Sequence, residues 1–232
     1  MSEISANLSA VRRRIEAARE RSKYGQNVRL VAVTKFHPLS AMEEALRAGA
    51  TDVGENRVQE MEEKHARLTL PATWHLLGHL QKNKVKKAVA MADLIQSCDS
   101  ISIMEEIDKR AAEIGKVQDI LLEFNISGEE SKTGFAPGDL EAAAKAARGL
   151  SHVRVVGLMC MAPIEEDAEK TRPVFREGRA LWEKLKEYFP EKQITVLSMG
   201  MTQDFETAIE EGSTMVRVGT AIFGARPAKK GE

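Results

Sequence analysis

Residues 30–35 read L-V-A-V-T-K, a short apolar run rich in β-branched side chains, which is the pattern of a strand buried on both faces. Ser40 and Glu43 follow with the spacing of a capping box, Met42, Ala45 and Leu46 supply an apolar stripe, and Gly49 supplies a stop. Strand and returning helix together make one β-α unit. Ahead of it, Ile4, Leu8, Val11, Ile15 and Ala18 recur at helical spacing and predict an amphipathic opening helix over residues 4–22.

The same rhythm runs to the end of the chain. Strands are expected at 51–54, 73–76, 93–97, 117–125, 153–159, 194–198 and 215–219, with helices near 57–68, 83–91, 101–114, 138–148, 168–188 and 203–211. Eight strands, each followed by a helix except at the end, match a closed (β/α)8 TIM barrel with an extra N-terminal helix. An open doubly wound sheet is the competing architecture, but it would stop sooner. No Pro/Gly/Ser-rich break or shift in composition divides the chain, so residues 1–232 read as a single domain.

Bulk chemistry narrows the function. Lys+Arg number 34 against 35 Asp+Glu, a formal net charge of −1, without the positive excess of a non-specific nucleic-acid binder. No stretch approaches the roughly 18 apolar residues of a membrane helix, and the first residues, M-S-E-I-S-A-N, do not read as a signal peptide. The two cysteines, Cys98 and Cys160, end different strands. They read as small buried fillers, with a reactive thiol at Cys160 as the lesser option, and a reducing cytoplasmic location is the simplest expectation.

In such a barrel, chemistry gathers where strands end. Those ends carry Lys35, Glu55-Asn56, His75, Gly78, Asn125, Met159, Ser198 and Arg217 to Gly219, while the strand interiors read as almost wholly apolar. Lys35 continues the alternation of Val31 and Val33 into the mouth. A buried lysine of lowered pKa can attack a carbonyl, whereas a rim lysine can lay its stem on the barrel and extend its ammonium to water; chemistry alone leaves both open. L-S-M-G-M-T (197–202) and V-R-V-G-T-A-I-F-G (216–224) have the small and hydroxyl residues of an anion site in the last two loops, with Thr202 read as a helix N-cap. Arg217 faces inward and needs an acceptor, either a carboxylate such as Glu55 or Glu123, or a ligand. His75 and His79 do not make a metal pair, and no metal site is expected. Lys82 to Lys87 read as a solvated basic face.

Taken together, V-A-V-T-K ending at Lys35, G-E-N-R-V-Q-E (54–60), W-H-L-L-G-H-L-Q-K-N-K (74–84), N-I-S-G-E-E-S-K-T-G (125–134), G-L-M (157–159), L-S-M-G-M-T-Q-D and V-R-V-G-T-A-I-F-G-A-R resemble the pyridoxal phosphate homeostasis proteins, similar in fold to the N-terminal barrel of alanine racemase. The resemblance implies a pyridoxal 5′-phosphate cofactor held as a Schiff base on Lys35. It also implies Asn56, Ser198, Gly200, Thr202, Gly219 and Thr220 around the cofactor, and Arg217 facing the pyridine nitrogen. Thr34 and Thr202 stand where many relatives have serine, and both keep the hydroxyl.

A guanidinium beside the ring nitrogen disfavours the pyridinium form and weakens the ring as an electron sink. The tyrosine base that alanine racemase draws from a second domain is not expected here, since Tyr24 and Tyr188 lie away from strand ends. The expectation is therefore a cofactor carrier with no catalytic residues, monomeric rather than dimeric, with apo forms of pyridoxal phosphate-dependent enzymes as partners. Neither nucleic acid nor membrane is an expected partner. The alternative is a minor racemase with His79, Lys132 or Cys160 as second base. Lys132 is either a transfer residue at the mouth or a solvated lysine paired with Glu129 or Glu130.

Overall fold

The computed structural model describes residues 2–129 and 132–225. Strands β1 (Arg29–Val33), β2 (Asp52–Glu55), β3 (Thr73–Leu76), β4 (Leu94–Cys98), β5 (Gln118–Phe124), β6 (Val153–Cys160), β7 (Val196–Ser198) and β8 (Met215–Val218) lie parallel in chain order. β8 closes on β1 with Val31 opposite Arg217. The helices on the outside are α1 (Glu3–Arg21), α2 (Leu39–Arg47), α3 (Val58–His65), α4 (Val85–Met91), α5 (Ile101–Glu113), α6 (Leu140–Arg148), α7 (Arg172–Lys186), α8 (Phe205–Glu210) and the short α9 (Thr220–Phe223). The expected barrel and its opening helix are both present. The difference at the end is that β8 is followed by a helical turn, α9.

Two apolar layers result from the alternation along each strand. One face packs against the helices: Ala32, Val53, Trp74, Ile95, Leu122, Leu158, Leu197 and Val216 join the helix residues there. The other face fills the barrel with Val31, Val33, Leu77, Leu94, Leu121, Met159 and Met215. α1 buries Leu8, Val11, Ile15 and Ala18 against α2, α8 and α9, so it covers the seam where the barrel closes. Its Asn7 amide donates to the Ile222 carbonyl at 3.1 Å, which ties the opening helix to α9.

Local sequence signals fail at two helix starts. α2 begins after Pro38 without a side-chain cap. Ser40 lies inside the first turn, and Glu43 pairs with Arg47 at 3.1 Å instead of reaching back. α8 begins after Asp204, not after Thr202. Asp204 ties the preceding turn by accepting the Met201 N–H at 2.6 Å, and a carboxylate three residues downstream satisfies that donor as well as a hydroxyl cap would.

The barrel interior also departs from the apolar expectation. Asp52, His75, Gln96, Glu123, Ser198 and Arg217 are all buried. Each sits at an inward position, so the apolar runs seen in sequence belong mostly to the helix-facing side.

One charge cluster determines how β1 ends. Lys64 on α3 is buried and donates to Glu55 at 2.7 Å, to Glu60 at 2.8 Å and to the Thr34 carbonyl at 2.8 Å. Glu60 in turn accepts the Phe36 N–H at 2.6 Å. The backbone on both sides of Lys35 is thereby clamped to α3. Burial raises the Glu55 pKa, and Lys64 opposes that rise. Lys64→Met should therefore cost about 3 kcal/mol or more, because it leaves a buried carboxylate unpaired. A carboxyl whose folded pKa is raised favours the native state when protonated, so the deficit should grow as pH rises and shrink in acid; urea melts at pH 5 and pH 8 measure it.

Candidate ligand site at the barrel mouth

Lys35 follows the last residue of β1 by one position beyond Thr34, and the next residue, Phe36, has φ +67°. A left-handed conformation is uncommon for an aromatic residue and stores strain. Here the Glu60 and Lys64 bonds hold the turn. Lys35 opens onto a cavity of about 410 Å³ at the C-terminal end of the strands, shared with Asn56, Thr202, Arg217, Gly219 and Thr220. That volume lies within the range of small-molecule sites.

Glycines bring the loops this close together. A side chain at Gly78 would come within 2.3 Å of the Asn56 carbonyl, and one at Gly219 within 3.2 Å of the Val33 carbonyl. The loops after β7 and β8 meet where the Ala221 N–H donates to the Thr202 hydroxyl at 3.5 Å. Thr202 is thus a turn residue at the cavity wall that also braces α9, not a helix cap.

Two expected contacts lie elsewhere. Ser198 is fully buried below the mouth, its hydroxyl held between Arg217 and Gln96 at 2.6 Å each. Gly200 adopts φ +94°, and a Cβ there would come within 2.6 Å of the Ala208 side chain. It shapes the turn onto α8, and its carbonyl accepts the Arg217 N–H at 3.0 Å. Neither lines the cavity among the described residues.

Arg217 also meets different acceptors from those expected. Glu55 faces α3 and is engaged by Lys64 and by Thr34, whose hydroxyl donates at 2.6 Å. Arg217 donates instead to Ser198 Oγ and to the Cys160 carbonyl at 3.0 Å. Burial pulls its pKa down, and the nearby acidic groups act the other way. Glu123 accepts from the Thr133 hydroxyl at 3.3 Å, and its second oxygen is buried without a hydrogen-bond partner among the described residues. Burial, then Asp99, push its carboxyl up to about 7, with Arg217 pulling the other way.

The three candidates for a second base lie off the cavity wall. His79 bonds Asp99 at 2.6 Å on the exposed rim. Lys132 pairs with Glu129, in a loop where the Asn125 amide donates to the Glu129 and Lys132 carbonyls. The Cys160 thiol is buried, and that burial pushes it up to about 12. Lys82–Lys84 form a 3-10 turn ahead of α4, and Lys87 pairs with Glu62 at 2.8 Å. Glu130, the other expected partner of Lys132, lies outside the described residues, as do Ser131 and Arg226 of the motifs.

Known proteins resemble this chain over nearly its whole length. Residues 6–227 match the family model of the alanine racemase N-terminal domain. The pyridoxal phosphate homeostasis protein of Aquifex aeolicus is 42% identical over 221 residues, covering 94% of this chain and 96% of that protein. Its counterpart in Escherichia coli is 38% identical, covering 99% and 100%. The chain belongs to the pyridoxal phosphate homeostasis protein family.

Within solved structures, PipY of Synechococcus elongatus with PLP bound superposes with a TM-score of 0.83 at 38% identity, covering 95% of this chain and 100% of that one. An alanine racemase of Clostridium difficile, 14% identical with a TM-score of 0.73, shares the fold over 57% of its own length. The sequence brings out six of the cavity-lining residues, Lys35, Asn56, Thr202, Arg217, Gly219 and Thr220, and Glu123 as a candidate acceptor, but not Gln96 and Lys64 as parts of the support. The signal that could find them is a polar side chain at an inward strand position, and for Lys64 a lysine on the apolar stripe of a helix.

Glu123 supplies a test by pH. Its folded pKa of about 7 lies above the ordinary value of 4.5, so native stability is full in acid and falls as pH rises from the ordinary value through the folded one. Glu123→Gln should remove that fall and stabilise the protein above pH 7 by about 2–3 kcal/mol. Thermal melts from pH 4 to 8 of the two proteins check both the sign and the window.

Proposed function

We propose that this chain binds pyridoxal 5′-phosphate with Lys35 as its covalent anchor, and holds the cofactor for vitamin B6 homeostasis without turning over a substrate of its own. The observation that carries this reading is the cavity itself. An inward lysine at the end of β1, the hydroxyl and glycine loops after β7 and β8, and a buried guanidinium on β8 all line it. When bound, the cofactor supplies an aldehyde that condenses with a primary amine, a conjugated ring, and a phosphate dianion.

The residues of the chain divide that work. Lys35 presents the amine, with Thr34 and Phe36 held by Lys64 and Glu60 so that its stem starts from a rigid point. Thr202, Gly219 and Thr220 form the anion-accepting wall, where small residues let main-chain N–H groups approach a phosphate. Ser198 and Gly200 serve the same loop from beneath. Asn56 borders the side nearest Lys35. A guanidinium has donors only, so Arg217 disfavours a proton on a ring nitrogen placed beside it. None of His79, Lys132 and Cys160 lines the cavity, whose titratable groups among the described residues, besides Lys35 and Arg217, are the carboxyls of Glu165 and Asp204; the lack of those three bases there supports storage over racemisation.

The first test is the anchor. Lys35→Ala should abolish the absorption band and the borohydride-trapped adduct of protein incubated with pyridoxal phosphate, at unchanged far-UV circular dichroism. A normal band in that variant would sink the assignment. Because Thr202 does not cap α8 but accepts the Ala221 N–H, Thr202→Val should cost no more than about 1 kcal/mol of stability while weakening pyridoxal phosphate much more than pyridoxal; equal losses for both ligands would remove the phosphate role. Lys132 lies in the loop that follows β5, at the same end of the strands as the cavity, and we propose that it assists transfer to apo-enzymes. Lys132→Ala should slow stopped-flow transfer with little change in equilibrium binding, and unchanged kinetics would return it to a loop ion pair.

A further inference from the structure

Four side chains join Arg217 to the opposite end of the barrel. Ser198 Oγ lies 2.6 Å from Arg217 Nη1 and 2.6 Å from Gln96 Oε1. Gln96 Nε2 lies 2.9 Å from His75 Nδ1, and His75 Nε2 lies 2.8 Å from Asp52 Oδ1. Asp52 sits at the start of β2, near Arg29 at 3.0 Å. The apolar side chains that share the barrel interior with this chain are Val31, Leu94, Leu121, Met159 and Met215.

Hydrogen-bond chemistry allows one consistent direction. A guanidinium only donates, so Ser198 Oγ accepts from Arg217, and its single hydrogen goes to Gln96. The Gln96 oxygen is thereby assigned, which turns its NH2 toward His75 Nδ1 and the Met215 sulfur, 3.1 Å away. A flipped amide would set its oxygen against the Met215 sulfur and leave the Ser198 hydrogen without a partner. His75 Nδ1 is then bare and Nε2 carries the proton, donated to Asp52. Burial acts to raise the Asp52 carboxyl, but the bonds from His75 and Thr51 hold it below its usual value, so it accepts. Every bond points from the guanidinium to the carboxylate.

We propose that Asp52, His75, Gln96 and Ser198 form a one-way hydrogen-bond chain through the barrel that positions the Arg217 guanidinium, making His75 and Gln96 positioning residues for the ligand at the mouth. The proposal rests on the proposed function only for the identity of that ligand. The chain gives a cation without a carboxylate in ion-pair reach, among the described residues, a polarised path to a remote anion. In an interior shielded from water, each bond strengthens the next. The Cys160 carbonyl holds the other arm of the fork, so the guanidinium plane is set by two fixed acceptors.

The tautomer is the direct test. In ligand-free protein at neutral pH, nitrogen-15 NMR of labelled histidine should show His75 protonated at Nε2 alone. A proton on Nδ1, or on both nitrogens, overturns the chain whether or not any cofactor binds. The positioning role is read in two variants titrated with pyridoxal phosphate. Gln96→Leu removes both central links and should weaken binding roughly tenfold and move the pH midpoint of the bound ligand's absorption. Asp52→Asn keeps the shape but removes the remote charge, and should move that midpoint in the same direction; a merely structural residue would lower the melting temperature and leave the spectrum alone. Parent affinity and parent spectrum in both variants overturn the role, even with the expected tautomer. If Gln96→Leu does not fold, Asp52→Asn decides. Failure of the parent protein to bind pyridoxal phosphate would fell the proposed function, whereas the hydrogen-bond chain would still stand or fall on the NMR result alone.

Discussion

A guanidinium in the middle of a closed barrel has to be given acceptors, and much of this interior is arranged to do so. Arg217 is almost fully buried. Leaving such a cation unsatisfied costs several kcal/mol in an apolar medium. Among the described residues its acceptors are a hydroxyl and a main-chain carbonyl, while the acidic groups Asp204 and Glu123 act on it without an ion-pair contact. The guanidinium is therefore held without being neutralised by contact, at a position that lines the cavity.

The other demanding group is Lys64, and it is treated in the opposite way. Its ammonium makes short contacts with two carboxylates and a carbonyl under α3, outside the barrel proper. The cluster is a clamp on the end of β1. Lys35 at the mouth and Lys64 beneath the helix thus belong to one local structure, in which the second lysine immobilises the backbone that presents the first. The positive φ at Phe36 is the local strain that this clamp sustains.

Catalysis of the racemase kind needs two groups that exchange protons on opposite faces of a substrate carbon. The cavity brings one lysine into place beside the carboxyls of Glu165 and Asp204, while the three bases read from the sequence are committed: His79 to Asp99, Lys132 to Glu129, and Cys160 to the buried layer beneath the helices. The architecture shared with alanine racemase reflects the barrel alone, since a fold carries many functions and the site decides among them.

The amino-acid order alone was enough to determine the barrel, its opening helix and six residues of the cavity wall. Period-two and period-3.6 hydrophobicity are local properties, and strand ends in a parallel barrel converge whatever the details. Lys35, Asn56, Thr202, Arg217, Gly219 and Thr220 could thus be brought to one mouth by counting. The tertiary structure alone decided which side chains touch. Ser198 could be read as a ligand contact because its strand end was visible, yet its hydroxyl is consumed by Arg217 and Gln96, residues 19 and 102 positions away. Glu55 looked equally available to Arg217 until its position on the helix-facing side gave it to Lys64. Thr202 looked like a cap until Asp204 took the turn. Each of these outcomes depends on a partner distant in sequence or on a small difference in where a helix begins. Hydrogen-bond satisfaction in a buried interior is settled by three-dimensional neighbours, and no local pattern encodes them.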